Sequence, residues 1–266
     1  MIRLLTEQDR SDVLAYLYKE ASYNIFPIGD IETFGFDTDF QRVYAEIEEG
    51  IYKSILLRYK NNAIYYADTP RFPLEYLKVF EDDPFDFISG KTDLMELVVP
   101  HLKGYEKHHT YFCEAKEMKD LSVPKVEIKK METEEEAAKV YDLISTVEEF
   151  SSFHQDKEAY VDAKMKSIQM GITLYIEEDG KVVSTVATTA ETTKSAMVVA
   201  VATADYARNK GYASALMKEL MYEYFVRKGK ELCLFYDNPS AGKIYHRLGF
   251  ETIGTWDMFK KKKEEL

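Results

Sequence analysis

Two short constellations carry the residue types that do chemistry. The first is Arg208-Asn209-Lys210-Gly211-Tyr212-Ala213, a basic turn containing one glycine. It leads from the apolar run Met197 to Ala202 into a segment of helical spacing, with Ala213, Leu216, Met217, Leu220 and Tyr224 on one side. At such a helix start the unpaired backbone N–H groups and the positive end of the helix dipole converge, and together they attract phosphate. Gly211 lets the backbone bend close to a bulky anion, Ala213 leaves the helix entrance uncrowded, and Arg208 and Lys210 add positive charge. A glycine turn that merely joins strand to helix has the same composition. The second constellation runs from Asn238 to Phe250, where Ala241, Ile244, Tyr245 and Leu248 fall at i, i+3, i+4 and i+7. Tyr245 therefore projects from the helix face that meets the sheet, as a core tyrosine or as a phenol that holds its proton at neutral pH.

The elements that position these residues follow from the same stretch. Met197 to Ala202 reads as a buried strand and Ala213 to Lys228 as a helix stopped by Gly229. Leu232 to Tyr236 reads as a second buried strand, and Asn238 opens a shorter helix that Gly249 closes. Two βα units stand side by side, each turning at the carboxyl end of its strand, where open α/β sheets hold their ligands.

A strand ending Val201-Ala202-Thr203, then the loop Arg208 to Ala213, then NxxAxxxYxxxGF from Asn238 to Phe250, is an order that resembles the GNAT superfamily of acyl-CoA-dependent N-acyltransferases. The resemblance implies an α/β fold with a mixed sheet and an acetyl group carried from acetyl-CoA to an amine acceptor, small molecule or peptide, in a ternary complex. It implies that the strand through Val201, Ala202 and Thr203 pairs with the pantetheine arm. Arg208, Asn209, Lys210, Gly211, Tyr212, Ala213 and Ser214 then cradle the pyrophosphate, and Asn238 touches the pantetheine chain. It also implies that Tyr245 protonates the departing thiolate. One departure stands out: many members carry proline between strand and loop, where this chain has Thr203-Ala204-Asp205-Tyr206-Ala207.

A chain of 266 residues suits two domains, and 45% hydrophobic residues supply their cores. The formal charge of −12 argues against a nucleic-acid partner, because phosphate backbones need clustered Lys and Arg. Two cysteines, Cys113 and Cys233, give neither a metal-ligand nor a disulfide pattern, and no metal is expected. Residues Met1 to Arg10 lack an apolar signal core and no stretch reaches membrane-spanning length, so a cytoplasmic protein without a membrane partner is expected. The basic run Lys260 to Lys263 reads as a solvated tail, and oligomeric state is not readable.

Within residues 1–124 a helix near Glu7 to Glu20, a hairpin of Ile51 to Arg58 with Ala63 to Ala67 across Asn61-Asn62, a strand Phe85 to Ser89, a helix Thr92 to Leu102 and a strand Thr110 to Ala115 are expected. That order is a worn copy of the second half, without its phosphate loop or its tyrosine helix. Residues 1–124 hold 14 Lys and Arg against 23 Asp and Glu, and residues 125–266 hold 21 against 24. The acidic half would suit a cationic amine, though a solvated acidic surface explains it as well. Lys119 to Pro124 reads as a linker between a cofactor-free GNAT-like domain, 1–124, and a GNAT N-acetyltransferase domain, 125–266.

The second domain opens with a strand Val126 to Lys130, and Thr133 with Glu136 forms a capping box for a helix to about Val147. A second helix spans Lys157 to Met170, and Ile172 to Glu177 with Val182 to Thr189 form a hairpin across Asp179-Gly180. In GNAT-like enzymes the segment between the first two helices borders the acceptor, which makes Glu148, Glu149 and His154 candidates for acceptor binding or proton abstraction. Exposed loop charge is the alternative for each. Glu191, just past the hairpin, falls on the acceptor side if the layout holds. Two other functions stay open: an acyl-CoA-binding regulatory module without turnover, and a tandem-GNAT aminoacyl transferase.

Overall fold

The computed structural model describes residues 1–119, 122–147 and 156–262. Two compact units emerge, Met1–Phe112 with Ile253–Leu266, and Cys113–Thr252. The segment Lys119 to Pro124 lies inside the second.

The first unit places α1 (Arg10–Leu17) and α2 (Ile25–Phe34) with strands β1 (Ile2–Leu4), β2 (Gln41–Glu48), β3 (Ile51–Tyr59) and β4 (Asn62–Ala67). Then come α3 (Tyr76–Asp82), β5 (Phe87–Lys91), α4 (Thr92–Val98) and β6 (Tyr105–Ala115). The aromatic stretch from Tyr23 to Phe36 becomes α2, since Pro27 sits in the first turn, where a missing N–H leaves no helix bond unmade. Val13, Leu17, Ile25, Ile28 and Ile31 bury its inner face with α1. The β3–β4 hairpin turns on Lys60-Asn61, one residue earlier than expected, because Tyr59 pairs with Asn62 and Lys60 takes the positive φ of 51°.

Strands β4 and β5 run parallel from Asn62↔Phe87 to Ile64↔Ser89 and no further. Beyond that point the space is filled: Tyr65, Tyr66 and Ala67 are buried, and a Cβ on Gly90 would lie 2.7 Å from the Tyr65 carbonyl oxygen. The connection after β4 contains Pro70 and Pro73, and its Arg71 donates to Glu46 at 2.6 Å and to Glu48 at 2.8 Å.

The expectation of a solvated tail is corrected at Lys260 and Lys261, which continue strand β12 (Glu251–Lys261). Lys260 pairs with Phe87, and the Lys261 N–H donates to the Asp86 carbonyl at 2.7 Å. Backbone pairing, which no side-chain pattern announces, supplies the stabilisation, and the charged side chains stay exposed.

The second unit has a sheet in the order β11-β10-β9-β8-β7, of strands β7 (Lys129–Lys130), β8 (Thr173–Glu178), β9 (Lys181–Thr189), β10 (Ser195–Thr203) and β11 (Glu231–Tyr236). The hairpin β8–β9 turns as expected on Asp179 and Gly180, both at positive φ. The strand expected from Val126 is laddered only at Lys129 and Lys130, against β8. Helix α5 (Glu134–Ile144) carries the anticipated capping box, with the Glu136 N–H donating to Thr133 Oγ1 at 3.3 Å and the Thr133 N–H to the Glu136 carboxylate at 2.9 Å. Helices α6 (Lys157–Lys166), α7 (Tyr212–Tyr222) and α8 (Pro239–Leu248) complete the unit, and α7 runs on as a π-helical turn, Glu223–Lys228, to Gly229 in the left-handed conformation. Ala137, Val140 and Leu143 of α5 and Leu216, Met217 and Leu220 of α7 are buried in one core with Val183, Val186, Leu232 and Leu234.

Candidate functional site

Strand β10 pairs in parallel with β11 from Ser195↔Glu231 to Val198↔Leu234, and the ladder stops there although β10 continues to Thr203 and β11 to Tyr236. On its other side β10 keeps its pairing with β9 but slips register between Val199 and Ala202. Ala200 stands in this bulge at φ 53°, a left-handed conformation that an alanine adopts only when its surroundings force it. The bulge bends β10, and Val199, Ala200 and Val201 become partly exposed in the middle of an otherwise buried strand. The gap in this ladder, at the carboxyl ends of two parallel strands, is the slot around which the candidate site is built.

The loop beyond the slot ends in a helix start that could hold an anion. The expected strand-end residues Val201, Ala202 and Thr203 lead through a short 3-10 turn, Asp205–Ala207, to Arg208, whose Nε donates to the Thr203 carbonyl at 3.4 Å. Asn209 and Gly211 take positive φ, 63° and 84°, and α7 starts at Tyr212 without any side-chain cap. The N–H groups of Tyr212, Ala213 and Ser214, in the first turn of α7, therefore remain available to a ligand. A Cβ on Gly211 would lie 2.9 Å from Pro124 Cδ, so this glycine is required by the chain itself as well as by any anion. The two basic side chains are already answered: Arg208 faces Asp205 at 3.0 Å and Lys210 faces Glu178 at 3.1 Å, while Tyr212 donates to the same Glu178. Any attraction at this loop rests first on the N–H groups and the dipole.

Asn238, as N-cap, and Tyr245 belong to α8, the helix that follows β11. Asn238 Oδ1 accepts from the Ser240 N–H at 2.9 Å and so caps α8, which leaves its amide N–H₂ to a ligand. Tyr245 is buried, its ring 5.9 Å from that of Tyr236 and 6.1 Å from that of Phe250. Burial first, then the neighbouring Cys113 and Asp237, push its pKa up to about 12, so the phenol keeps its proton throughout the neutral range.

A polar cluster beside Tyr245 escapes the sequence. His246 Nδ1 lies 3.0 Å from the Phe250 carbonyl, to which its N–H donates; Nε2 is then the acceptor for the Tyr236 hydroxyl at 3.2 Å. Thr252 Oγ1 stands 3.5 Å from the Tyr236 hydroxyl and 3.3 Å from Cys113 Sγ. Its members come from strands and a helix far apart in the chain, and only Gly242 leaves a trace, since a Cβ there would strike the Tyr236 ring.

The acceptor-side expectations fare differently. Glu148, Glu149 and His154 lie outside the described residues. Glu191 is at the opposite end of β10 from the loop, with its carboxylate accepting from Tyr224 at 2.8 Å, Lys228 at 2.8 Å and Lys230 at 2.7 Å. Burial pushes its pKa up, but hydrogen bonds from Lys228, Lys230 and Tyr224 outweigh that and hold it below the ordinary glutamate value. A carboxylate so fully engaged is a structural tie. Its contribution is present above the unfolded glutamate pKa and is lost as pH falls through the lowered folded value. Glu191→Gln is expected to cost about 1–2 kcal/mol and to lower Tm by roughly 3–6 °C, read by thermal unfolding at neutral pH and shrinking towards pH 3.

Residues 127–253 match the family model described as an acetyltransferase (GNAT) domain. Among solved structures the chain is similar to a GCN5-related N-acetyltransferase from Sphaerobacter thermophilus, 16% identical, covering 98% of this chain and 95% of that one with a TM-score of 0.63. It is similar also to a tandem GNAT protein from the clavulanic acid biosynthesis pathway, 10% identical, covering 100% and 99% with a TM-score of 0.63. A third, a GCN5-related N-acetyltransferase from Kribbella flavida, is 18% identical and covers 80% and 88% with a TM-score of 0.59. At these identities the likeness concerns the fold. No curated protein matches the chain in sequence.

Proposed function

We propose that this chain, which belongs to the GNAT superfamily through residues 127–253, moves an acetyl group from acetyl-CoA to an amine acceptor in a ternary complex. The observation that carries the reading is the parting of β10 from β11 beyond Val198↔Leu234 beside an uncapped helix start with Gly211 at φ 84°. In this reading the pyrophosphate sits on the N–H groups of Gly211, Tyr212, Ala213 and Ser214, and Arg208, Asn209 and Lys210 flank it. The pantetheine arm lies against Val201, Ala202 and Thr203, with the Asn238 amide donating to it. The acyl carbon then stands between the bulge of β10 and Tyr245.

A neutral amine attacks the thioester carbonyl, and the oxyanion that forms is met by backbone N–H of the bulged strand, donors fixed before the reaction begins. Collapse breaks the C–S bond, Tyr245 gives its proton to the leaving sulfur, and the proton that the amine nitrogen sheds passes to solvent, from which the phenolate is reprotonated. Release of CoA, followed with a thiol reagent over a panel of amines, tests the reading. Turnover on at least one amine class is the expected result, and tight acetyl-CoA binding without turnover on any would replace it with a binding module.

The filled space beyond Ile64↔Ser89 and the ion-paired Arg71 support a first unit without a cofactor site. One mole of acetyl-CoA per chain is the expected stoichiometry in calorimetry, and a value of two would overturn it.

A further inference from the structure

Helix α6 carries three lysines, and two of them are matched. Lys157 meets Asp142 at 2.6 Å and Lys166 meets Asp162 at 2.6 Å. Lys164 makes neither ion pair nor hydrogen bond among the described residues; its Nζ lies 5.8 Å from the ring centroid of Tyr160, one turn earlier on the same face. Tyr160 Oη is itself buried with no hydrogen-bond partner among the described residues. Burial pushes the Lys164 pKa below its ordinary value, the mark of an ammonium that has lost water without gaining an anion among the described residues. On a chain of net charge −12, a half-buried lysine that meets no carboxylate among the described residues stands out from the other two lysines of α6.

This lysine lines a cavity of about 60 Å³ with Ser167, Thr173, Thr188 and Thr189, and no carboxylate of the described residues contributes to the wall. Ser167 Oγ is spent on the Ala163 carbonyl at 2.8 Å, and Thr188 Oγ1 accepts from the Ile172 N–H at 2.8 Å. The Thr173 hydroxyl, on a buried residue, has no such commitment among the described residues. A positive charge and a hydroxyl donor around a space of this size suit a monoanion of two oxygens. The position matters too. Thr188 and Thr189 pair with Val198 and Met197, and Val198 is the last residue of β10 that pairs with β11. The cavity thus lies level with the point where the slot begins, roughly 5–10 Å from it across one or two strand spacings.

We infer that this cavity is a carboxylate subsite, in which Lys164 Nζ and the Thr173 hydroxyl hold the carboxylate of the amine acceptor. The acceptor assignment rests on the acyl-transfer reading, whereas the carboxylate site does not. An acceptor of this class presents an amine and a carboxylate a few bonds apart, so that fixing the carboxylate directs the amine towards the slot.

The test uses the full chain without acetyl-CoA, so that a failure of acyl transfer leaves it untouched. The Lys164 side chain, assigned by its disappearance in Lys164→Met, is titrated by NMR with acetate, 4-aminobutyrate or butylamine present. With 4-aminobutyrate the Lys164 pKa is expected to rise by about one unit, and butylamine is expected to leave it unmoved. Lys164→Met should weaken 4-aminobutyrate about tenfold or more, Lys164→Arg should keep most of the affinity, and Thr173→Val should weaken it by a smaller factor. An unchanged Lys164 titration with both carboxylates, or undiminished affinity in Lys164→Met, overturns the subsite. Acetate binding as tightly as 4-aminobutyrate overturns the acceptor assignment, leaving a site for free small carboxylates.

Discussion

Tyr245→Phe is expected to lower kcat by about 10²-fold, within the 10²–10⁴ range for losing a general acid, while Kd for acetyl-CoA changes little. The phenol stands on the buried face of α8 with its pKa pushed up to about 12, and it makes no hydrogen bond among the described residues. In the proposed reading this protonated phenol is the donor, and no hydrogen bond among the described residues ties its oxygen to the packing. Phenylalanine keeps the ring contacts with Tyr236 and Phe250, so the variant should fold with its Tm nearly unchanged. A tyrosine that serves the core alone would give normal turnover after the same substitution. Single-turnover kinetics at saturating acetyl-CoA separate the two, and near-normal kcat in a chemistry-limited step would leave Tyr245 as packing. The polar cluster of His246, Tyr236, Thr252 and Cys113 beside it is untouched by the substitution.

Gly211→Val is expected to weaken acetyl-CoA by about 10²-fold or more, read by calorimetry, with a small loss of Tm. Two causes act together. At φ 84° a β-branched residue is strained by about 1–2 kcal/mol, and its Cβ would meet Pro124 Cδ at 2.9 Å. The backbone must then rotate, and the N–H groups at the start of α7 no longer converge on one point. The sequence asks for glycine so that the backbone can come close to a bulky anion; the structure adds Pro124 within 2.9 Å of any Cβ there, so the protein's own chain enforces the glycine as well. Gly211→Ala carries the same Cβ contact with Pro124 but milder φ strain and no γ-methyls, and should fall between. Unchanged affinity in the valine variant would remove this loop from the cofactor site.

What the sequence determined by itself was local. The apolar runs and their spacing placed β8, β9, β10, β11, α5, α7 and α8 close to their observed bounds, because period and caps are written in neighbouring residues: Thr133 with Glu136, Asp179 with Gly180, Asn238 and Gly249. The loop Arg208 to Ala213 and the inward face carrying Tyr245 were legible for the same reason. The first unit was less so. Helix α2 hid in an aromatic stretch, and β12 continued through lysines, because its stability comes from a ladder with Phe87 and its neighbours rather than from its own side chains. Only the tertiary structure decided where β10 parts from β11, since the bulge at Ala200 is the outcome of pairing with β9 on one side and not on the other. It likewise decided that Glu191 is tied to Tyr224, Lys228 and Lys230, and that Lys164, among the described residues, meets no anion while its neighbours on α6 are matched. Charge partners and cavities depend on which distant residues the chain brings within a few ångströms, and spacing along the chain does not encode that distance.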